Sequence, residues 1–109
     1  MADHEPAHDA KTYYAVVYFP GPNWDPAKSA DQQGQPEHVA YQAENYQRGV
    51  LVAGGPYRSG DTDHFGLALF SADSLDTVRA IVAEDPAVKS GTYAVTVHEW
   101  LTPINALAG

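Results

Sequence analysis

Among the side chains of types that transfer protons, two stand out as a candidate pair: His38, in the run Glu37-His38, and Asp85, in the run Glu84-Asp85-Pro86. An imidazole exchanges a proton near neutral pH. A carboxylate that accepts from one ring nitrogen fixes the tautomer and leaves the other nitrogen free to act as base or acid. Both residues also have a plainer reading, as a histidine that caps a loop and an aspartate that caps the turn at Pro86. Around them stand candidates for ligand contact. Trp24 is an aromatic side chain in a polar loop, read either as a plug on the core edge or as a lid over a ligand. Gly54-Gly55-Pro56 closes a strand and lets backbone approach a ligand closely. It is not a phosphate loop, because no strand-to-helix turn with Lys-Ser or Lys-Thr follows it. Arg58 reads as a grip on a substrate carboxylate or as an exposed turn arginine. His64, near the same end, reads as a site member or a turn residue. No metal is expected, since His38, Asp85 and His64 lack ligand spacing and Pro6 interrupts the pair His4 and His8. No cofactor is expected either.

These residues must be positioned by the elements around them. Residues 12–19 are rich in aromatic and β-branched types and end at Pro20, which predicts a strand. Both of its faces are apolar, Tyr13, Ala15, Val17 and Phe19 on one and Tyr14, Val16 and Tyr18 on the other, so it is placed centrally. Residues 20–35 form the longest irregular segment. Pro36 and Glu37 suit a first helical turn, and the helix runs to about Arg48 and stops at Gly49. Its expected inward stripe is Val39, Ala43, Tyr46 and Val50, with His38 one position off. Residues 50–53 predict a short strand ended by the Gly-Gly-Pro run, residues 57–63 a polar turn, and residues 64–70 a third strand. A second helix, capped by Ser71 or Asp73 and striped by Leu75, Val78, Ile81 and Val82, must end near Asp85 because Pro86 follows. Residues 87–91 connect it to a last strand over 92–100. Tyr14, Tyr18 and Tyr93 read either as pocket lining or, more simply, as core or interface packing, and His98 as structural or at an interface.

The order β-α-β-β-α-β is the ferredoxin-like α+β plan with an antiparallel four-stranded sheet. Right-handed crossovers then bring one rim together: the ends of strands one and two, the start of helix one and the end of helix two. That rim holds Trp24, His38, Gly54-Gly55-Pro56 and Asp85. Helices cover only one sheet face in this plan, whereas strand one is apolar on both. A second copy of the chain, in a self-complementary contact, is the expected cover.

Composition bounds the alternatives. With 109 residues, 44% hydrophobic and 18% charged, the chain reads as one globular domain over 12–102, flanked by a flexible tail over 1–11 and a short tail over 103–109. Fourteen Asp and Glu against six Lys and Arg, a net charge of -8, exclude nucleic acid and anionic membrane as partners. Without cysteine there is no disulfide, thiolate nucleophile or Cys-ligated metal. No apolar run approaches the roughly 20 residues that cross a bilayer, and the N-terminus lacks the regions of a signal peptide, so a cytoplasmic location is expected.

The run Glu37-His38 before an amphipathic helix, Gly49 to Pro56 as GVLVAGGP, Phe65 to Ser74 as FGLALFSADS, Glu84-Asp85-Pro86, and Glu99-Trp100 together resemble the YCII-related domain family. The opening YFPGPNWD, Tyr18 to Asp25, resembles a subgroup of it. The resemblance covers residues 13–101 and implies a dimeric α/β barrel in which the open sheet faces of two subunits pack. It further implies that His38 and Asp85 are the proposed catalytic pair. Members include a dehydrochlorinase acting on a chlorinated hydroxyhydroquinone, and the wider superfamily carries out proton transfer on small, often aromatic or enolisable compounds. The expected function is therefore a small cofactor-independent enzyme of isomerase, lyase or dehydrohalogenase type. Its alternative is a noncatalytic dimeric module that binds a small metabolite.

Overall fold

The computed structural model describes residues 11–60 and 62–107. The expected N-terminal tail, with His4 and His8, lies outside the described residues except for Lys11, which opens the first strand. The elements are β1 (Lys11–Pro20), α1 (Gln35–Gln47), β2 (Leu51–Pro56), β3 (Gly66–Phe70), α2 (Leu75–Ala83), α3 (Pro86–Lys89) and β4 (Tyr93–Thr102), with a 3-10 turn at Ala30–Gln32. Four strands form one antiparallel sheet in the order β2-β3-β1-β4, the ferredoxin-like arrangement. β1 pairs with β3 from Tyr14 opposite Phe70 to Tyr18 opposite Gly66, and with β4 from Lys11 opposite Thr102 to Pro20 opposite Tyr93.

The alternation along β1 divides the molecule. Tyr14, Val16 and Tyr18 point to the helices and join Ala68, Phe70, Val78, Val82, Ala87 and Tyr93 in one buried core. Ala15, Val17 and Phe19, only partly buried, lie on the other face beside Leu67, which is 41% exposed. α2 supplies Val78 and Val82 to the core from the expected stripe. Its cap is Ser74, whose hydroxyl accepts from the Thr77 amide at 3.1 Å, rather than Ser71 or Asp73.

Three local expectations are corrected. The strand over 50–53 continues through Gly54, Gly55 and Pro56, which pair with Ala68, Leu67 and Gly66. β2 is an edge strand, where the missing Pro56 amide hydrogen and the missing glycine side chains are tolerated. The connection over 87–91 contains the one-turn helix α3. On α1, Ala43 and Tyr46 face outward, Val39 is exposed at the mouth of the cavity described below rather than packed in the core, and the fully buried residue is Asn45. The helix is rotated because its inner face carries polar side chains that find partners there, among them His38, Gln42 and Asn45 at successive turn positions.

Candidate active site

The rim foreseen from topology is formed by four pieces of chain. The loop after β1 is held against the turn before β4: the Gly21 amide donates to Thr92 O at 2.8 Å and the Asn23 amide to Gly91 O at 2.9 Å. The approach is so close that a Cβ on Gly21 would lie 2.2 Å from Gly91 O. Gly91, at φ +77°, takes the left-handed conformation that this turn needs. Within the loop the Gln33 amide works as a clamp, accepting from the Asp25 amide at 2.8 Å and donating to the Asp25 and Lys28 carbonyls at 2.9 and 3.0 Å. Trp24 is thereby laid against Phe65, with ring centroids 6.1 Å apart, and against Tyr93 at 6.3 Å. It is packed on the core edge, and its side chain also lines the cavity described below.

α1 starts directly after this loop and presents His38 from its first turn. α2 ends at Ala83, and Asp85 follows as the cap of α3, accepting from the Ala87 amide at 3.0 Å through Oδ1. Its second oxygen, Oδ2, lies 2.5 Å from His38 Nδ1. Asp85 is 1% exposed and lies at the start of a helix, where the dipole favours a carboxylate. The capping role and the contact with His38 therefore coexist on different oxygens. A carboxylate only accepts, so His38 Nδ1 carries the hydrogen and Nε2 is the free nitrogen of the neutral ring. The ring is held edge-on between Tyr18 and Tyr93, each with its centroid 5.1 Å away.

His38 opens on a cavity of about 480 Å³. It is lined by the aromatic side chains Tyr18, Trp24, Phe65 and Tyr93, by Val39 and Gln42 of α1, and by Gly54, Gly55 and Pro56 of β2. This combination of an apolar enclosure with few polar groups suits a small, flat organic ligand. The Tyr18 phenol is held well above its ordinary pKa, first by burial and then by the nearby Asp85 carboxylate, with the hydrogen bond from Gln42 acting against them. Burial followed by Asp85 also raises Tyr93, and burial raises Tyr41, against the pull of Arg48. Each phenol is thus neutral across the physiological range. A group kept protonated in the fold contributes stability that is complete below its unfolded value and is lost as pH rises above it. In an alkaline titration followed by tyrosinate absorbance, Tyr18, Tyr41 and Tyr93 should ionise above the ordinary range of a phenol. The melting temperature should fall above about pH 10, and less steeply in Tyr18→Phe.

The structure therefore brings His38, Asp85, Trp24, Gly54, Gly55 and Pro56 to one place. Arg58 and His64 do not line the cavity: Arg58 is exposed past the end of β2, and His64 Nδ1 lies 2.9 Å from the hydroxyl of Tyr57, its ring near Phe19. Because β2 runs on through Pro56, Tyr57 takes the rim position and Arg58 is carried beyond it. Tyr18 and Tyr93 were read from sequence as pocket-lining or packing residues, and both line the cavity; Phe65 and Gln42 were not singled out. Aromatics on a strand face look the same whether they fill a core or wall a cavity, and only Gln42, polar at a near-inward helical position, carried a signal. Among the described residues, no group of three or more His, Asp or Glu is placed to hold a metal ion, and no helix is long and apolar enough to cross a membrane.

A ferredoxin-like α+β domain with a buried aspartate on a histidine that faces an apolar cavity defines the class. The profile of the YCII-related domain family matches residues 12–101, and the chain belongs to that family. Its structure is similar to that of 5-chloro-2-hydroxyhydroquinone dehydrochlorinase from Burkholderia phenoliruptrix, solved in complex with 2,5-dihydroxybenzoquinone. The TM-score is 0.56 at 22% identity, covering 81% of this chain and 92% of that one. No curated protein sequence matches the chain.

Proposed function

We propose that the protein is a cofactor-independent enzyme in which His38 and Asp85 transfer a proton on a small aromatic or otherwise enolisable compound. The observation that carries this reading is the contact between His38 Nδ1 and Asp85 Oδ2 at the wall of the apolar cavity. In the first step Nε2 takes a proton from a carbon or hydroxyl of the ligand, and the electron pair moves onto a conjugated substrate oxygen. Asp85 stabilises the imidazolium that forms. Return of the proton to a different atom gives an isomer. Loss of a halide as the leaving group gives an eliminated product, with the proton passed from His38 to water. The similar structure binds a dihydroxyquinone, which supports a ligand of that shape. Arg58 and His64, which lie outside the cavity lining, are proposed to act on substituents that project from the rim. The acidic, cysteine-free composition fits a cytoplasmic setting.

The functional unit is proposed to be a homodimer. The sheet face opposite the helices is only partly covered in one chain: Val17 at its centre is half-buried and is flanked by Leu67, which is exposed, and Thr96. A second copy of the same face is the cover of matching shape and chemistry.

The reading is tested with a panel of halogenated and hydroxylated aromatic acids, quinones and lactones, followed by absorbance. For a compound the parent turns over, His38→Ala should lower the rate by a factor on the order of 100 or more while the far-ultraviolet dichroism is unchanged. Equal rates in the two proteins overturn the proton-transfer reading. Compounds that bind the parent without being turned over favour the metabolite-binding module.

A further inference from the structure

Beside the cavity, Gln42 and Asn45 of α1 and Arg48 at its C-cap form a line of hydrogen bonds that ends on Tyr18. Arg48 Nη2 donates to Asn45 Oδ1. Asn45 Nδ2 donates to Gln42 Oε1 at 3.0 Å, and Gln42 Nε2 donates to the Tyr18 hydroxyl oxygen at 3.2 Å. Residues 42, 45 and 48 share one helix face. Asn45, in the middle, is 0% exposed.

The direction of this line is fixed by chemistry at its outer end. A guanidinium only donates, so the atom that Asn45 turns toward Arg48 must be its oxygen. Its amino group then faces Gln42, which must answer with oxygen and direct its own amino group at Tyr18. The phenol oxygen is left as an acceptor, and its hydrogen is not used by any other hydrogen bond among the described residues. Tyr18 lines the cavity edge-on to His38.

We infer that Tyr18 is a catalytic hydrogen-bond donor to the substrate oxygen that becomes negative, and that Arg48, through Asn45 and Gln42, sets it in the donating sense. The inference rests on the proton-transfer reading and adds its missing half. When His38 removes a proton, the electron pair comes to rest on an oxygen, and a donor fixed in advance stabilises that oxygen where water is excluded. Each donor in the line polarises the next, so the guanidinium strengthens a phenol it does not touch. The substrate class is narrowed to phenols and enolisable carbonyl compounds, whose reacting oxygen carries the charge.

The line can be reversed by one exposed substitution. A carboxylate only accepts, so Arg48→Glu would attract the Asn45 amino group, turn both amides over and present Gln42 oxygen to Tyr18. The phenol would then donate inward and be lost to the ligand. Arg48→Lys, again only a donor, should preserve the parent direction.

The experiment is a spectrophotometric titration with 4-nitrophenol, whose phenolate form is coloured, so that binding is read without turnover. Tyr18→Phe should weaken phenolate binding about tenfold or more, the range of one hydrogen bond to a charged atom. Arg48→Glu should approach that loss, Arg48→Lys should bind as the parent does, and Arg48→Glu should add nothing in the Tyr18→Phe background. Measurement at high salt removes the direct effect of the reversed surface charge. Equal binding by Tyr18→Phe and parent, equal binding by the Glu and Lys variants, or an undiminished Arg48→Glu loss without Tyr18 overturns the inference. The same titration in His38→Ala separates the two proposals, because the Tyr18 effect persists there even if turnover does not depend on His38.

Discussion

Asp85→Asn is expected to fold and melt close to the parent yet lose at least about a hundredfold in turnover of any compound the parent converts. The asparagine oxygen can accept from the Ala87 amide as Oδ1 does now, so the cap on α3 survives. Its amino group must then face His38 Nδ1. An amino group only donates, so Nδ1 becomes the acceptor and the ring hydrogen moves to Nε2. The nitrogen that faces the cavity is thereby occupied, and the ring cannot begin by taking a proton. Comparable buried aspartate-to-asparagine changes beside a catalytic histidine cost up to about four orders of magnitude through the same tautomer reversal. Asp85→Ala separates the two functions of the residue: it removes the cap as well, and the melting temperature should fall by an amount set by about 1 kcal/mol for the cap plus the unpaired buried imidazole. Full turnover by Asp85→Asn would mean that Asp85 serves only α3.

The second large effect is expected at the partly covered sheet face. Val17→Asp should convert a dimer into a monomer at micromolar concentration, read as a halving of mass by light scattering. Val17 sits between Leu67 and Thr96, and Leu67 is 41% exposed in the single chain. In a self-complementary contact each substitution is present twice, and each unpaired carboxylate removed from water costs several kcal/mol, so the association constant should fall by several orders of magnitude. The isolated chain leaves Val17 on a partly open surface and should still fold. A parent protein that is itself a monodisperse monomer at this concentration refutes the dimer.

How far the chain could be read in advance depended on what kind of signal each element carried. β1 was legible because aromatic and β-branched residues fill both of its faces, and the rim followed once strand directions were set by the crossover rule. Asp85 and His38 could thus be placed together before any coordinates. α1 was legible as a helix but not in its rotation. Its apolar residues Val39 and Tyr46 are 58% and 65% exposed, while Asn45 is buried, so a rule that turns apolar residues inward selects the wrong face. The rule fails where a helix walls a cavity and is held by polar contacts. α3 is a single turn, too short for any periodicity. Tyr18 was legible as a residue that either lines a pocket or packs in the core, and the choice between the two lies in what stands opposite it.

The clamp that Gln33 and Asn23 place on the loop after β1 alters the thermodynamics of ligand entry. Trp24, the stretch around Gly91 and the base of β4 are tied into one block by backbone and amide hydrogen bonds. Such a block surrenders its conformational freedom when the chain folds, so a ligand has no segment left to order as it enters. For the ligand proposed above, selection at this rim would then fall on the outline of the entering molecule, and a compound one ring substituent too wide should bind more weakly.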